Sequence, residues 1–459
     1  MSAAVTLPPL GQHLTTTYCF RVLDRGAGCT MRGILALRAS ILAAFLLAPS
    51  LAGADAVPVF SDTGPDAAAY GAAENYAVGK PGSFREQRFL VGSLSHFDSV
   101  LVAHPVGRAA TPSILWRAPE EISLSYRYQG ESHTLAGYLE RHPATGLLIL
   151  KGDTILFEHY RYARSDKDRF TSQSMAKTIT AMLVGIAISE GAIRSVDDPA
   201  SAYVPELKES EFGRTPIKAL LHMASGIAYS ETYDGSDDAA KLNRELWRPG
   251  GPGVAAAIAK FDTRIAAPDS FWYYAGIDTE LLGLILTRAV KMSLADYLAS
   301  RIWQRIGSEA DASWIVDASG QEAAFCCFNA VLRDWGRLGL LLANDGAWRG
   351  EQVIPRQWVI DATTAAAPGN FLAPGTTTRF YGYGYQLWIM PGPRRDFALL
   401  GIHGQATFVD PAAKLVLVHT AVRPKPTGNP GQNELISLWK GLVEQYGTTE
   451  AGAASRSLP

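Results

Sequence analysis

Cysteine is scarce in this sequence, and neither sign of charge predominates. Four cysteines occur among 459 residues, and two of them, Cys326 and Cys327, are adjacent. Because the ring that two neighbouring cysteines would close is too small for relaxed disulfide geometry, we predict two small buried apolar residues rather than a disulfide or a metal site. Lys and Arg number 42 and Asp and Glu number 44, which gives a formal net charge of −2. That balance gives no electrostatic reason to expect nucleic acid as a partner.

The N-terminal region lacks a hydrophobic run long enough to span a membrane. From Met31 the sequence MRGILALRASILAAFLLAPSLAGADA has two arginines, an apolar run over 41–47 and then small residues. This order is typical of a secretory signal peptide cut after Ala54 or Ala56, whereas a spanning helix needs about 20 apolar residues. We therefore predict that residues 1–54 are an N-terminal extension and signal peptide, with the true start at Met31. The mature protein is then periplasmic or secreted and has no stable membrane insertion; an uncleaved membrane anchor is the alternative.

Three common signatures of enzyme chemistry are also missing. The sequence has no HExxH metal motif, no Walker phosphate-binding loop and no GxSxG nucleophile elbow. Each of these patterns is tied to a particular chemistry, namely zinc hydrolysis, nucleotide binding and α/β-hydrolase catalysis. The sequence therefore implies no metal and no organic cofactor.

The first clear structural pattern lies in the stretch that follows a lead-in and N-terminal segment over 55–130. Two β-type runs flank Lys151-Gly152-Asp153, which predicts a hairpin. A long apolar helical pattern then begins near Ser174 and ends at Gly191, where glycine is a common helix terminator.

The remaining chain completes the predicted domain over 131–459. The region of about 192–345 is mainly helical in pattern, and the last third returns to strands before a final helix around 435–446. Strands from both ends with helices between them predict an α+β fold, in which both chain ends build one sheet around a helical insertion.

Ser174-Met175-Ala176-Lys177 is the strongest candidate for chemistry. Residues at i and i+3 share a helix face, so the Lys177 amine can meet the Ser174 hydroxyl. In the first turn of a helix the hydroxyl also lies near unpaired N–H groups and the positive end of the dipole. A buried lysine with a lowered pKa can then accept the serine proton. A second copy, Ser437 to Lys440, falls inside the final helical pattern, so the context favours Ser174.

Two further segments are candidates only in combination with that tetrad. Tyr273 belongs to the FWYYAG run at 271–276, just before a helical pattern, and could present its phenol to the lysine and a leaving group. Gly401-Ile402-His403-Gly404-Gln405 lies between two strands, where glycine allows a ligand to approach closely. Aromatic runs are also common in cores, and a lone histidine is commonly structural.

The three segments in this order resemble the serine β-lactamase and penicillin-binding protein superfamily. SVDDPASAYVPEL, LLHMASGI and the FWYYAGIDTELLG run add to the resemblance, which covers roughly 130–445. It looks closest to the class C-like branch that holds carboxylesterases and 6-aminohexanoate-dimer hydrolases. The resemblance implies a β-lactamase/transpeptidase-like fold, an antiparallel sheet flanked by helices with a mainly helical inserted subdomain.

The resemblance also implies a role for each candidate residue. Ser174 is the nucleophile, Lys177 the base and Tyr273 the phenol that relays a proton to the leaving group. The backbone N–H groups of Ser174 and Ile402 form the oxyanion hole. The implied substrate contacts are Tyr229, Asn243, His403 and Gly404, with Asn243 near the place where oligoamide hydrolases hold a substrate amine with a carboxylate.

Two departures from the β-lactamase pattern indicate the substrate class. Ala275 stands where the tyrosine motif normally continues to asparagine, and Gly-Ile-His-Gly replaces the motif whose lysine helps to bind the penicillin carboxylate. We therefore predict a serine hydrolase of a small ester or amide, acting through an acyl-enzyme. The alternatives are a D-Ala-D-Ala peptidase or β-lactamase, a non-catalytic binding protein of the same fold, and a purely structural Ser174 at a helix N-cap. The oligomeric state is not indicated.

Overall fold

The computed structural model describes residues 58–448 of the chain. The predicted signal peptide, Cys19 and Cys29 lie outside the described residues.

The longest strands of this region, over 144–151, 154–160 and 415–421, lie in the centre of the main sheet. In chain order they are β1 (Val59–Phe60), β2 (Ala103–Val106), β3 (Trp116–Arg117), β4 (Ser125–Tyr128), β5 (Glu131–Thr134), β6 (Ala144–Lys151), β7 (Thr154–Tyr160), β8 (Phe170–Thr171), β9 (Ala312–Ile315), β10 (Phe328–Ala330), β11 (Ala347–Trp348), β12 (Glu351–Gln352), β13 (Gly382–Tyr383), β14 (Trp388–Ile389), β15 (Phe397–Gly401), β16 (Gln405–Asp410) and β17 (Leu415–Ala421).

The α-helices lie mostly between the strands of the two chain ends. In chain order they are α1 (Gln87–Ser95), α2 (Leu135–Arg141), α3 (Ala176–Ser189), α4 (Glu211–Arg214), α5 (Ile217–Leu221), α6 (Asp238–Leu246), α7 (Val254–Ile258), α8 (Gly276–Val290), α9 (Leu294–Leu298), α10 (Leu332–Ala343), α11 (Arg356–Thr363) and α12 (Pro430–Tyr446).

The main sheet has the order β1-β7-β6-β17-β16-β15-β14-β13, and β3 also pairs with β7. The predicted hairpin around Gly152 is present as β6 and β7, and β17 pairs with β6 to join the two ends of the chain. Every pairing is antiparallel except those of β1 and β3, which run parallel to β7. The predicted α+β fold, with one sheet built from both ends of the chain, is confirmed, with two short parallel additions at one edge.

The central strands are buried on both faces because helices cover each side of the sheet. On β6, Leu148 and Leu150 belong to the larger core with α3 and α10, whereas Leu147 and Ile149 belong to the core under α12. This alternation is the two-residue period of a strand. Under α12, Trp439 stacks on Phe408 with ring centroids 5.5 Å apart. The final helix begins at Pro430, five residues before the start that its apolar pattern indicates.

The region of about 192–345, which the sequence pattern predicts to be mainly helical, also contains strands. Strands β9 and β10 lie inside it and join β2 and β8 in a second, four-stranded sheet in the order β2-β9-β10-β8. The prediction of a mainly helical insertion therefore misses this sheet. The N-terminal segment contributes strands to both sheets, through β1, β2 and β3. Within 58–448, no helix combines the length and the apolar character that crossing a membrane requires.

Candidate active site

Ser174 lies at the point where a tight turn leads into α3. A 3-10 turn covers Gln173–Met175, and Gln173 has a left-handed backbone with φ 44°. Glycine usually occupies this conformation, so the chain is bent sharply just before the serine. Ser174 is partly exposed, while Gln173 and Met175 on either side of it are buried. The bend therefore presents the hydroxyl at the surface of a cavity while its neighbours anchor it to the core.

Lys177 is fully buried in the first turn of α3, and its amine faces the serine. The Nζ atom donates to Ser174 Oγ at 3.1 Å and to the backbone oxygen of Phe325 at 2.9 Å. Burial lowers the pKa of the Lys177 amine to about 8, while the charges of Glu231 and Glu280 oppose that shift. Desolvation disfavours the ammonium form because it removes the charge from water. A neutral amine is therefore accessible near neutral pH at hydrogen-bond distance from the Ser174 hydroxyl.

Tyr274, and not Tyr273, is the tyrosine beside this pair. The Lys177 Nζ lies 5.1 Å from the centre of the Tyr274 ring, and Ser174 interacts with the Tyr274 hydroxyl. Burial raises the pKa of the Tyr274 phenol. Tyr273 is 43% exposed, and its N–H donates to the Met223 oxygen. Neighbouring side chains in an extended segment point to opposite sides, so the prediction for Tyr273 is wrong by one residue.

The Gly-rich turn after β15 packs directly against the turn that holds Ser174. A Cβ atom at Gly401 would lie 2.5 Å from the backbone oxygen of Ser172, so only glycine permits this approach. The next residue, Ile402, lines the same cavity as Ser174. The structure therefore brings the two predicted oxyanion-hole residues together.

The predicted substrate contacts are only partly brought together. Gly404 lines the cavity. His403 is buried, its Nδ1 lies 2.7 Å from the Arg423 oxygen, and burial lowers its pKa. Tyr229 is buried edge-on against Phe261, with ring centroids 5.5 Å apart. Asn243 lies on α6, and His403, Tyr229 and Asn243 are not among the described residues that line the cavity. The structure therefore does not support those three predictions.

Tyr233 is one of the cavity residues that sequence reasoning missed. Four residues after Tyr229, it lines the cavity with Ser174 and Tyr274, and its backbone is left-handed with φ 61°. The Asp237 carboxylate fixes this loop by accepting the Tyr233 N–H at 2.7 Å. No helix or strand pattern covers the loop, so no periodicity indicates that the Tyr233 side chain faces the cavity.

One carboxylate links the loop of Tyr233 to the helix that follows Tyr274. Glu231 accepts the Tyr233 hydroxyl at 2.8 Å and the Gly276 N–H, at the start of α8, at 2.5 Å. A Cβ atom at position 276 would lie 2.9 Å from the same carboxylate. Glu231 therefore joins the Tyr233 side chain to the start of α8, two residues after Tyr274, and its charge raises the pKa of Lys177.

The cysteine pair is bonded, contrary to the prediction. Cys326 and Cys327 form a disulfide, and Cys327 has a left-handed backbone with φ 72°. The Cys327 N–H donates to the Gln173 oxygen. The backbone oxygen of Phe325, the residue just before the cysteine pair, accepts a hydrogen bond from the Lys177 amine. The prediction fails because it assumes an ordinary backbone at both cysteines, whereas Cys327 has a left-handed one. The disulfide lies in the segment that holds the Lys177 amine.

A cavity of about 320 Å³ opens on Ser174, a volume within the range of small-molecule sites. Its walls are largely apolar. The apolar and aromatic lining residues include Trp388, Leu400, Ala406, Phe408, Leu435 and Ile436.

Comparisons with known proteins agree with this arrangement. The beta-lactamase family profile matches residues 133–438. A 6-aminohexanoate-dimer hydrolase of Paenarthrobacter ureafaciens is 27% identical over 294 residues, which cover 63% of this chain and 75% of that protein.

Two solved structures show the same fold. A candidate 6-aminohexanoate-dimer hydrolase from Bacillus anthracis has a TM-score of 0.70 at 23% identity, covering 82% of this chain and 97% of that one. EstCE1, a hydrolase with promiscuous acyltransferase activity, has a TM-score of 0.54 at 14% identity, covering 66% of this chain and 94% of that one. The family profile spans well over half of the chain and includes Ser174, Lys177 and Tyr274. The chain therefore belongs to the beta-lactamase family, and it is a hydrolase.

Proposed function

We propose that this protein cleaves an ester or amide through an acyl-enzyme on Ser174. The observation that carries the proposal is the fully buried Lys177 amine, 3.1 Å from Ser174 Oγ at the start of α3. A serine hydroxyl is a weak nucleophile unless a base lies beside it. Here burial lowers the pKa of that base to about 8.

In the acylation step, neutral Lys177 accepts the Ser174 proton as Oγ attacks the substrate carbonyl carbon. The carbonyl electrons move onto oxygen, and the N–H groups of Ser174 and Ile402 stabilise that oxyanion. Such donors each contribute roughly 3–4 kcal/mol to the transition state in comparable sites. When the bond to the leaving group breaks, the Tyr274 hydroxyl passes it a proton and is reprotonated from the Lys177 ammonium. The acyl group is then bonded to Ser174.

Deacylation reverses these proton movements with water as the nucleophile. A water molecule loses its proton to the Lys177 and Tyr274 pair and attacks the acyl carbonyl. The Ser174 oxygen leaves as the hydroxyl, and the carboxylic acid product departs. The net reaction adds one water across the ester or amide bond.

The relatives and the site both favour open-chain esters and amides over β-lactams. One relative bears the name 6-aminohexanoate-dimer hydrolase, and a structural neighbour is a promiscuous acyltransferase and hydrolase. With Tyr274 as the tyrosine of the motif, Gly276 stands two residues later, where the β-lactamase motif has asparagine. His403 is not among the described residues that line the cavity, and its Nδ1 lies 2.7 Å from the Arg423 backbone oxygen. The rival β-lactamase or peptidase activity predicts nitrocefin turnover or stable penicillin acylation, and inertness to both would exclude it.

The deciding experiment is intact-mass analysis after exposure to a p-nitrophenyl alkylphosphonate. We expect a single adduct that peptide mapping places on Ser174, and we expect Lys177→Ala to lose it. Ser437→Ala is the matched control and should be labelled like the wild type. An adduct on Ser437, or none at all, contradicts the proposal, and a stable acyl adduct without turnover of any ester favours the binding-protein alternative.

We also propose that the protein is exported through the signal peptide read in residues 31–56. The support is the order of arginines, apolar run and small residues in that stretch. Expression of the full-length chain in a Gram-negative host, followed by fractionation and N-terminal sequencing, tests it. A mature protein that begins at or next to residue 55 or 57 in the periplasm or medium is expected. An uncleaved chain in the membrane fraction contradicts the proposal.

A further inference from the structure

The backbone of one short segment, residues 323–328, contacts Lys177 and the turn that carries the nucleophile. The Phe325 oxygen accepts a hydrogen bond from the Lys177 amine at 2.9 Å. Three residues later, Phe328 begins β10, and its N–H donates to the Ser172 hydroxyl at 2.9 Å. We name residues 323–328 the cysteine segment, after the disulfide within it. The cysteine segment therefore contacts both the base and the turn of the nucleophile.

The peptide group between Phe325 and Cys326 is oriented by a turn within the cysteine segment. Its N–H, from Cys326, donates to the Ala323 oxygen at 3.1 Å. A trans peptide places its C=O opposite its N–H. The Phe325 oxygen therefore points out of the turn, where it accepts the Lys177 amine.

The next peptide group, between Cys326 and Cys327, is the one that the disulfide encloses. Its oxygen accepts the Trp314 Nε1 at 3.0 Å, and its N–H donates to the Gln173 oxygen at 3.3 Å. The disulfide joins the two cysteine side chains across this peptide, so the ring restrains the backbone torsions on either side of it. The direction of the Phe325 carbonyl, one peptide earlier, depends on one of those torsions.

Two left-handed residues that are not glycine meet where the cysteine segment contacts the turn of the nucleophile. Gln173 has φ 44°, and Cys327, which is bonded to its oxygen, has φ 72°. Residues with a side chain keep such a backbone only where their surroundings impose it. At Cys327 the covalent bond to Cys326 supplies that constraint.

Both ends of the cysteine segment are fixed without the disulfide. The Ala324 N–H donates to the Glu280 carboxylate at 3.0 Å, and the Ala324 oxygen accepts the Thr180 hydroxyl at 2.9 Å. These bonds tie Ala324 to α8 and α3, and Phe328 is fixed in β10. We therefore expect the chain to fold without the disulfide, with a less constrained backbone between these two ends.

The disulfide does not belong to the surface that faces a substrate. Cys326 and Cys327 are buried, and neither is among the described residues that line the cavity. Any effect of the bond on catalysis must therefore pass through the backbone that contacts Lys177 and Gln173.

We infer that the Cys326–Cys327 disulfide is a positioning element for Lys177, because it fixes the Phe325 carbonyl that directs the amine toward Ser174. The inference rests on the proposed function, since Lys177 is positioned here for its role as the base. Opening the ring leaves both catalytic side chains on their turn and helix but frees the carbonyl that orients the amine. Disulfides persist in oxidising compartments outside the cytosol, so the proposed export keeps the bond closed.

The test replaces both cysteines by serine, which is close in size to a reduced cysteine and cannot form the bond. In the double-serine variant, Cys326→Ser with Cys327→Ser, we expect phosphonate labelling of Ser174 to slow by about 10- to 100-fold, because a misplacement of about 1 Å can cost about 10²-fold. Turnover of a p-nitrophenyl ester should fall in parallel. The final extent of labelling should equal that of the wild type, since it reports the folded fraction and not the activation of the serine.

A glycine at position 327 separates the effect of the ring on the backbone from the loss of the sulfur atoms. The serine–glycine variant, Cys326→Ser with Cys327→Gly, also lacks the disulfide, but glycine adopts a left-handed backbone readily. We expect it to label at least about threefold faster than the double-serine variant, because the required φ no longer depends on the ring. It should remain slower than the wild type, and that comparison decides the question if the double-serine variant does not fold.

Reduction of the wild type is a second measurement that needs no substitution. Tris(2-carboxyethyl)phosphine reduces the S–S bond to two thiols and is oxidised to its phosphine oxide with oxygen from water. The labelling rate should fall in proportion to the fraction of chains in which Cys326 and Cys327 are alkylated, counted by mass. The double-serine variant should not respond to the phosphine. If the folded wild type resists reduction, the two variants decide alone.

Val353→Ala is the matched control, because it shortens a buried side chain outside the cavity lining. It should lower the unfolding midpoint but leave the labelling rate within about twofold, since a core truncation acts on stability.

Failure of this inference is distinguishable from failure of the proposed function. If the folded double-serine variant labels Ser174 as fast as the wild type, the positioning role is overturned and the hydrolase stands. A serine–glycine variant as slow as the double-serine variant overturns the route through the Cys327 backbone. If the wild type itself takes no phosphonate on Ser174, the proposed function fails and the inference fails with it.

Discussion

Ser174 with Lys177, and Ser437 with Lys440, have the same spacing, yet their surroundings differ at every point that matters to chemistry. Lys177 is 1% exposed and donates to Ser174 and to Phe325. Lys440 is exposed and lies over the Phe380 ring, 5.1 Å from its centre. Ser437 is inside α12, where its hydroxyl donates to the Asn433 oxygen one turn earlier.

The difference shows that a Ser-x-x-Lys sequence supplies only the proximity of the two side chains. Activation requires that the amine be removed from water, which lowers its pKa. It also requires that the hydroxyl face a cavity at the start of a helix, where N–H groups are free to bind an oxyanion. Only the first pair has both, because a sharp turn precedes α3 and a second strand, β15, packs against that turn.

The largest contrast should come from removing each serine hydroxyl. Ser174→Ala should lower kcat for a p-nitrophenyl ester by about 10⁴-fold or more, since loss of a nucleophile removes the whole covalent route. Ser437→Ala should change kcat by less than about twofold. Steady-state hydrolysis of both purified variants, with unfolding midpoints to verify folding, measures this. Comparable losses in the two would mean that the contrast between the tetrads is wrong.

Removing each lysine amine should give the next largest contrast. Lys177→Met should lower kcat/KM by about 10²- to 10⁴-fold, the usual contribution of a positioned general base. Lys440→Met, a surface change, should leave kcat/KM within about twofold. Initial rates on the same ester measure both effects. Retention of activity in Lys177→Met at pH 7 would show that another group accepts the Ser174 proton.

The two adjacent tyrosines offer a sharper test of the site's geometry. Tyr274→Phe should lower kcat by roughly 10²-fold, the lower end of the range for proton transfer, with more effect on amides than on activated esters because amide leaving groups need a proton. Tyr273→Phe should have no measurable effect on kcat, since that ring points to solvent. A larger loss in Tyr273→Phe would restore the original prediction from the sequence.

The smallest expected effect is a displacement of the pH profile. Activity needs neutral Lys177, so kcat/KM should rise with pH through an apparent pKa near 8 and level off above it. The Glu231 charge raises the pKa of Lys177, so Glu231→Gln should shift the rising limb to lower pH. Lys440→Gln should leave the limb in place. The profile of kcat/KM between pH 5 and 10 measures these shifts, and a shift to higher pH in Glu231→Gln would contradict the argument.

The sequence predicted what depends on local pattern and failed where the answer depends on contacts between distant segments. Ser174 and Lys177 were found because a strand hairpin, a turn and a long apolar helix are all local signals. The resemblance implies Tyr273 and Tyr229, whereas Tyr274 and Tyr233 line the cavity. Segments without helical or strand periodicity give no indication of which side chain faces inward.

Arg423 was beyond reach of the sequence for a different reason. It follows β17 in a segment whose sequence gives no sign of a cavity, and its place in the cavity lining is visible only in the folded structure. The cysteine pair shows a related limit, because bonding depends on the left-handed backbone of Cys327. Sequence rules treat such conformations as exceptions.

The pairing of β6 with β17 has a consequence for how the molecule is made. Thr145 and Thr420, 275 residues apart along the chain, hydrogen-bond at 3.0 Å across that pairing. The ribosome therefore synthesises Ser174 long before it synthesises β17, the strand that completes the main sheet. Chains with such distant contacts fold slowly, so the nascent polypeptide stays without its central sheet until synthesis is almost complete. A product truncated before β17 should therefore be inactive although it contains Ser174, Lys177 and Tyr274.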